Sequence, residues 1–308
     1  MKKPALFIEV TRRCTNACIY CGSWRSTGTG ENDLTLEQYI KLFQILKEER
    51  IFFPRINFTG GEPTLRRDIK NIVSAAINII GGEIHFTTNG SYILEQKSLW
   101  ELPISLVKVN INTLDPVAYK KITGTDNLRK VIKGIDYLIS KKVSIRLHSV
   151  LLMESLPFIY DLIQYCRNGG IDLKLFQIDT DLSSKEKQPV DIADVEYYLE
   201  KFYDTHVTLE SPGLPIHVYK NKKNEIHLVK SGLQPYNVEF CRGCISYPCD
   251  YGLYSVSVDP EGFAYPCLIQ HEKGKEKLDL QSSKSVKKVL IRLCKIIEDA
   301  RILSNVMG

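Results

Sequence analysis

The stretch Ala5 to Cys21, ALFIEVTRRCTNACIYC, runs an apolar segment of strand character into a loop with three cysteines at C-x3-C-x2-C spacing. Cys14, Cys18 and Cys21 put three thiolates on one short loop, one fewer than the four that close a structural zinc or a fully ligated cubane. A [4Fe-4S] cluster held here keeps one iron open, and an open iron can bind a reactant. By spacing alone, the same loop also fits half of a zinc site.

Downstream, Arg55 to Asp68, RINFTGGEPTLRRD, is a strand pattern that enters Gly60, Gly61, Glu62 and Pro63 before a helical pattern begins. Glycines at such a position let the backbone approach a ligand closely. Glu62 beside them can accept hydrogen bonds from an ammonium group. Alone, GGEP is an ordinary turn; one strand and helix after the cysteine loop, it acquires a partner.

Strand patterns at 5–11, 55–59, 83–88, 106–112, 143–152 and 172–179 alternate with helix patterns at 35–49, 66–80, 127–140 and 156–167. In the first helix Leu36, Ile40, Phe43 and Leu46 share a face, and Thr35 with Gln38 makes a capping box. Six such strands predict parallel β/α units. Strands buried on both faces read as continuous apolar runs. Here one parity of nearly every strand is polar: Glu9 and Thr11; Arg55, Asn57 and Thr59; His85 and Thr87; Asn110 and Asn112; Arg146 and His148. The expected fold is therefore α/β, a partial (β/α)6 TIM-like barrel with a polar lumen able to hold ligands. The alternative is a set of strands with one face in water. Function sits at the C-terminal ends of such strands, where the cysteine loop, GGEP, Thr87 to Gly90 (TTNG) and Asn112 all fall.

Past Asp179 the polar segment DLSSKEKQPVD marks a boundary between 1–180 and 181–308. Beyond it come a helix near 194–203, short strands, and a second cysteine group, Cys241, Cys244, Cys249 and Cys267, spaced C-x2-C-x4-C-x17-C. DPEG at Asp259 to Gly262 signals a hairpin, and an amphipathic helix closes the chain. This group by itself also fits a zinc ribbon. Cys166 and Cys294 lie on apolar helix faces and read as core. His85 and His148 could shuttle protons, but isolated strand histidines are more often hydrogen-bonded scaffolding.

Composition narrows the class. At 308 residues and 44% hydrophobic content the chain can bury a large core. The N-terminal apolar run breaks at Glu9 with no small-residue cleavage site, arguing against a signal peptide, and no run is long enough to span a membrane. Nine cysteines in such a chain point to reduced thiols used as ligands, in a cytoplasmic, anaerobic setting. A net charge of +5, spread along the chain, favours an anionic small substrate slightly and gives no nucleic-acid stripe.

The cysteine loop and GGEP together resemble the radical S-adenosylmethionine (SAM) superfamily. IEVTRRCTNACIYC, INFTGGEPTLRRDI, TTNG, VNINTLDPVAYKKITG, LKLFQID and FCRGC with a later PCL are similar, in order, to the GTP cyclases of molybdenum-cofactor biosynthesis. That resemblance implies SAM chelated by the unique iron, with Glu62 receiving its amino group and Tyr20 contacting it. It implies further SAM contacts from Gly60, Gly61, Thr88, Asn112 and Asp179, and a reductant such as flavodoxin or ferredoxin. It also implies a small C-terminal twitch-type domain holding a second [4Fe-4S] cluster on Cys241, Cys244 and Cys267. Cys249 departs from that pattern, being either a loop thiol or a fourth ligand.

The substrate expectation is less direct. Phe7 and Asn57 stand at two positions where the cyclases hold triphosphate with arginine, and Ile245, Ser246 and Tyr247 replace an R-x-R. The family's C-terminal glycine pair is reduced to Met307-Gly308. Arg55, Arg146 and Lys174 keep positive charge, and with Asn57 and His148 they are the substrate-side candidates. Losing several charge-assisted contacts of about 1.5 to 3 kcal/mol each argues against GTP as the substrate. The first expectation is hydrogen abstraction from a small polar, nucleotide-like or peptide substrate, ending in cyclisation, dehydrogenation or epimerisation. Authentic GTP cyclisation is the second, and a zinc-bearing RNA-binding or RNA-modifying protein the third.

Overall fold

The computed structural model describes residues 3–21, 30–177, 190–209, 216–230, 239–242, 244, 253–268 and 272–306, without the side chains of 301–306. Asp179, Cys249, the 245–247 segment and the last two residues lie outside the described residues.

Strands β1 (Ala5–Glu9), β2 (Arg55–Thr59), β3 (Glu83–Thr88), β4 (Leu106–Asn110), β5 (Ile145–Val150) and β6 (Asp172–Phe176) lie side by side in chain order, all parallel. The sheet is open, and its core is the partial barrel expected. Helix α1 (Leu36–Glu48) begins at the Thr35 capping box and buries Tyr39, Leu42, Phe43, Ile45 and Leu46. Helices α2 (Ile69–Ile79), α4 (Leu128–Ser140) and α5 (Ile159–Gly169) cover the same face. Against them the sheet presents Leu6, Ile8, Ile56, Phe58, Ile84, Phe86, Val107, Val109, Leu147, Leu173 and Leu175, each at most 1% exposed. The alternate parity, polar in most of these strands though β1 gives it Phe7 beside Glu9, faces the lumen, as period-two geometry requires.

Two connections differ from the periodicity reading. Between β3 and β4 the crossover is a short 3-10 segment, Lys97–Glu101, which covers the sheet by packing Trp100 edge-on against Phe86 at 5.4 Å. Its indole N–H donates to Ile93 O at 2.8 Å. Helix α3 (Pro116–Thr123) precedes α4 and was not expected; Asp115 caps it, Pro116 starts it and Gly124 ends it at φ 73°. Those boundary residues were the available signal, because its eight residues are too few for a clear period.

Beyond residue 180, α6 (Ala193–Phe202) precedes β7 (Thr205–Leu209), β8 (Ile216–Lys220) and β9 (Glu225–Val229), and β9 joins β6 in parallel. The hairpin of β10 (Ser255–Val258) and β11 (Phe263–Tyr265), with β12 (Glu276–Lys277) at its edge, joins the opposite side of the sheet, β10 parallel to β1. The later strands thus extend both edges of one twelve-stranded sheet. Helix α7 (Ser283–Val306) packs on α1, β10 and β11. Cys166 is fully buried in the core, and Cys294 is partly buried against it. No described helix is long and apolar enough to cross a membrane.

Candidate active site

The backbone following β1 runs directly against the GGEP turn. Gly61 N donates to Thr11 O, and Glu62 N donates to Arg13 O, each at 2.7 Å. A Cβ on Gly61 would fall 2.6 Å from Arg12 O and closer still to Arg13 O, while Gly60 sits at φ 141° against Thr11. The close approach these glycines permit is to the chain's own cysteine loop, which they hold at the end of the sheet.

Glu62 is completely buried. Its carboxylate accepts from Thr64 N at 3.1 Å, from the Thr64 hydroxyl, from the Thr88 hydroxyl at 2.7 Å and from Asn89 N at 2.6 Å. Burial raises its pKa while these donors lower it. GGEP and TTNG are thereby one hydrogen-bonded unit. Asn89 extends the unit to the cysteines: its side-chain amide donates to Thr15 Oγ1 at 3.1 Å and to Cys14 Sγ at 3.7 Å.

On the other flank, Asn112 Nδ2 donates to the Tyr20 hydroxyl at 3.0 Å, and Asn112 Oδ1 accepts from Val150 N at 2.7 Å. Tyr20 belongs to the cysteine loop and Asn112 follows β4, so this pair ties the loop across to β4 and β5. The expected contact residues Tyr20, Gly60, Gly61, Glu62, Thr88 and Asn112 therefore surround Cys14, Cys18 and Cys21 at one end of the sheet.

The loop suits a cluster. Cys14 and Cys21 are exposed and Cys18 partly so. Cys14 Sγ accepts from Asn16 N at 3.4 Å as well as from Asn89. Burial pushes the Cys18 thiol up to about 11 and also raises Cys14. Metal binding would hold these sulfurs as thiolates, as is usual for such sites. Among the described residues no three His, Cys, Asp or Glu side chains close on a single ion.

The lumen below is strongly cationic. In register across the sheet lie Thr87, Lys108, Arg146 and Asp172, and one pair further along Asn110, His148, Lys174 and His227. Lys108 was absent from the sequence reading although it shares the parity of Asn110. Its ammonium donates to Asn57 Oδ1 at 2.9 Å, which also accepts from the Thr87 hydroxyl at 3.2 Å. Burial and the nearby Arg55, Lys174 and Arg146 lower Lys108 to about 7. Burial, then Arg146 and Arg55, lower Lys174 to about 8.

His85 Nδ1 and His148 Nε2 are buried without a partner, as are Arg55 Nε and Arg146 Nε. Burial and surrounding cations lower His85 to about 3 and His148 well below the usual range, so both are neutral near pH 7.

In the C-terminal group, Cys241 and Cys244 share one turn, with Cys244 N donating to Cys241 O at 3.0 Å. Cys267 follows β11 and is 8% exposed.

The parallel six-stranded core thus carries a three-cysteine loop at the C-terminal ends of its strands, the arrangement of an enzyme built on a partial barrel. The radical SAM superfamily model matches residues 8–156. A "Probable GTP 3',8-cyclase" of Sulfolobus acidocaldarius is 30% identical over 251 residues, covering 78% of this chain and 75% of that one. Another of Thermococcus kodakarensis is 29% identical over 201 residues, covering 64% of this chain and 62% of that protein. Among solved structures, Streptococcus suis SuiB bound to S-adenosylmethionine superposes with a TM-score of 0.64 at 18% identity, over 91% of this chain and 64% of SuiB. The chain thus spans under two thirds of SuiB. The chain belongs to the radical SAM superfamily and is an enzyme similar to the GTP 3',8-cyclases. Membership brings S-adenosylmethionine and a [4Fe-4S] cluster as cofactors and sets aside the zinc reading of the N-terminal loop.

Proposed function

We propose that this enzyme generates a 5'-deoxyadenosyl radical from SAM and removes a hydrogen atom from a small polar, nucleotide-like or peptide substrate, ending in cyclisation, dehydrogenation or epimerisation. A cluster bound by Cys14, Cys18 and Cys21 supplies the single electron that cleaves SAM. The chain itself orients SAM through the Gly60-Gly61 backbone, Glu62, Thr88, Asn112 and Tyr20, with Asp179 as a further contact. It holds the substrate in the lumen through Arg55, Asn57, Arg146, His148 and Lys174, and shields both from water. The observation that carries this reading is the hydrogen-bonded convergence of the cysteine loop, GGEP, TTNG and Asn112 above one polar lumen.

A second cluster on Cys241, Cys244 and Cys267, with Cys249 as candidate fourth ligand, completes the proposal, and 181–308 is the unit that carries it. The shared turn of Cys241 and Cys244 supports this. Such a cluster binds substrate or relays an electron; flavodoxin or ferredoxin is the reductant.

Authentic GTP cyclisation is the second reading. Relatives named GTP 3',8-cyclase favour it, and so does Lys108, which returns to the lumen a cation that the Phe7 and Asn57 positions lack. Anaerobically reconstituted protein with dithionite and SAM tests both. Release of 5'-deoxyadenosine supports the general reading and its absence refutes it. Conversion of GTP to a cyclised product separates the two.

A further inference from the structure

Two polar contacts join the cysteine loop to the hairpin that leads into Cys267. Arg12 stands two residues before Cys14, and its Nη2 donates to Asp259 Oδ2 at 3.0 Å. Tyr265 stands two residues before Cys267, and its hydroxyl donates to Glu9 at the end of β1. Asp259 is 1% exposed, and a carboxylate so enclosed needs partners for both oxygens. It finds them in different parts of the molecule. Oδ1 accepts from Glu261 N at 3.0 Å and from Phe263 N at 2.9 Å, which shapes the turn between β10 and β11. Oδ2 faces Arg12, and Lys275 at 3.7 Å.

The contacts continue to the remaining cysteines. Lys275 follows Gly274, where a Cβ would meet Phe240 at 3.3 Å and Pro266 at 3.5 Å, the residues just before Cys241 and Cys267. Lys273 donates to Phe240 O. On the other side Leu34 N donates to Pro260 O at 2.7 Å, and Arg66 Nη1 donates to Leu34 O and to Val10 O, each at 2.9 Å. The backbone that carries the cysteine loop thus also clasps the turn of the hairpin. Removing the Arg12 guanidinium would leave the buried Asp259 oxygen with Lys275 alone, the situation in which a buried charge loosens its surroundings.

We propose that Asp259 is a positioning residue for both iron-sulfur sites: through Arg12 it couples the cysteine loop to the hairpin, so that a cluster seated at either site steadies the other. This coupling rests on the proposed second cluster and gives the contact by which the two sites act on each other. It is reciprocal in binding free energy, so what the N-terminal cluster adds to the C-terminal one is returned equally.

The test follows the C-terminal cluster while only the N-terminal side is changed. Anaerobically reconstituted, dithionite-reduced holoenzyme is challenged with an iron chelator, and the decay of the electron-paramagnetic signal that SAM does not shift is timed. Arg12→Gln cuts the link but leaves Asp259 its hold on the turn and on Lys275; it should speed this decay at least about threefold. Replacing Cys14, Cys18 and Cys21 together by alanine should speed it likewise, and Arg12→Gln added to that variant should change little, because the loop is already released. Arg12→Lys, which keeps the charge, should restore part of the slow decay. Asp259→Asn, read from the opposite side as faster decay of the SAM-shifted signal, repeats the test should Arg12→Gln not fold. Effects of Arg12→Gln and the cysteine replacements that simply add would show a local structural role for Arg12 and overturn the coupling. Wild type with roughly eight irons and a decay unchanged by Arg12→Gln would overturn the coupling alone. Wild type with roughly four irons and no signal indifferent to SAM would refute the two-cluster reading beneath it.

Discussion

The Glu62 carboxylate accepts the backbone N–H of Asn89 at 2.6 Å, joining the turn after β2 to the turn after β3 inside the protein. With Thr64 and Thr88 donating as well, Oε1 accepts three hydrogen bonds from the chain while Oε2 accepts only that of Asn89. Glu62 thus ties the two turns together, and on the proposed reading Oε2, with its single donor, is the oxygen that meets the SAM ammonium. Glu62→Gln retains one acceptor and turns the other end into a donor facing an N–H. SAM affinity measured calorimetrically on reconstituted protein should fall by about 1 to 3 kcal/mol with both clusters retained. Unchanged affinity would remove Glu62 from the SAM site.

Gly61 makes the contact with the cysteine loop possible. Gly61→Ala drives a methyl group into the Arg12 and Arg13 carbonyls, neither of which is a side chain that can rotate away. The expected cost is about 2 to 3 kcal/mol, with the loop displaced, and the iron retained after reconstitution should drop more than the helical circular dichroism does. Gly81→Ala, at φ 72° with nothing within 4 Å of its Cβ, carries backbone strain without the clash and should keep its iron.

Metal content tests the two-cluster proposal. Reconstituted protein should hold roughly eight irons, and replacing Cys14, Cys18 and Cys21 together by alanine should leave roughly four. Four irons in wild type would confine the chemistry to the N-terminal loop. If Cys249 closes the second cluster, Cys249→Ala should open an iron and change its electron-paramagnetic signal when an exogenous ligand is added; a loop thiol would change nothing.

Glu9 sets a pH dependence of stability. It is 6% exposed and receives the Tyr265 hydroxyl, joining β1 to the C-terminal hairpin beside the Arg12–Asp259 pair at 3.0 Å. Burial raises its pKa from 4.5 to about 7, partly offset by the Tyr265 hydrogen bond. Between those values the folded state binds more protons than the unfolded one, so stability falls as pH rises through that window and levels off above it. The full difference is at most about 3 kcal/mol. Glu9→Gln keeps an acceptor for Tyr265 and cannot ionise. Denaturation midpoints should therefore show the variant closer to, or above, wild type at pH 8 than at pH 4.5; parallel profiles would show that Glu9 ionises freely in the fold.

The neutral histidines give an independent check on the lumen. NMR titration of His85 and His148 should show no protonation down to pH 5, because burial and the neighbouring cations both oppose a further charge. A normal titration near 6.5 would mean that water enters the lumen freely.

What the sequence determined by itself was local. Alternation of period two in Arg55, Asn57 and Thr59 against Ile56 and Phe58 is written in each strand, because side chains leave a strand on alternating sides whatever lies nearby. The three-cysteine loop, GGEP, TTNG and Asn112 were legible for the same reason, since each follows a strand directly. Contacts far apart in the chain were not. Lys108 meets Asn57 51 residues away, and its weakened hold on a proton comes from Arg55, Arg146 and Lys174 on other strands. Glu62 read as a ligand-facing acid; that β3 and the turn after it bring Thr88 and Asn89 to its carboxylate was not legible. Composition led to the expectation of a boundary at 180; that β10 lies beside β1 and β9 beside β6 came only from tertiary pairing. Parallel partners can be any distance apart in sequence, and only the packed sheet selects among them.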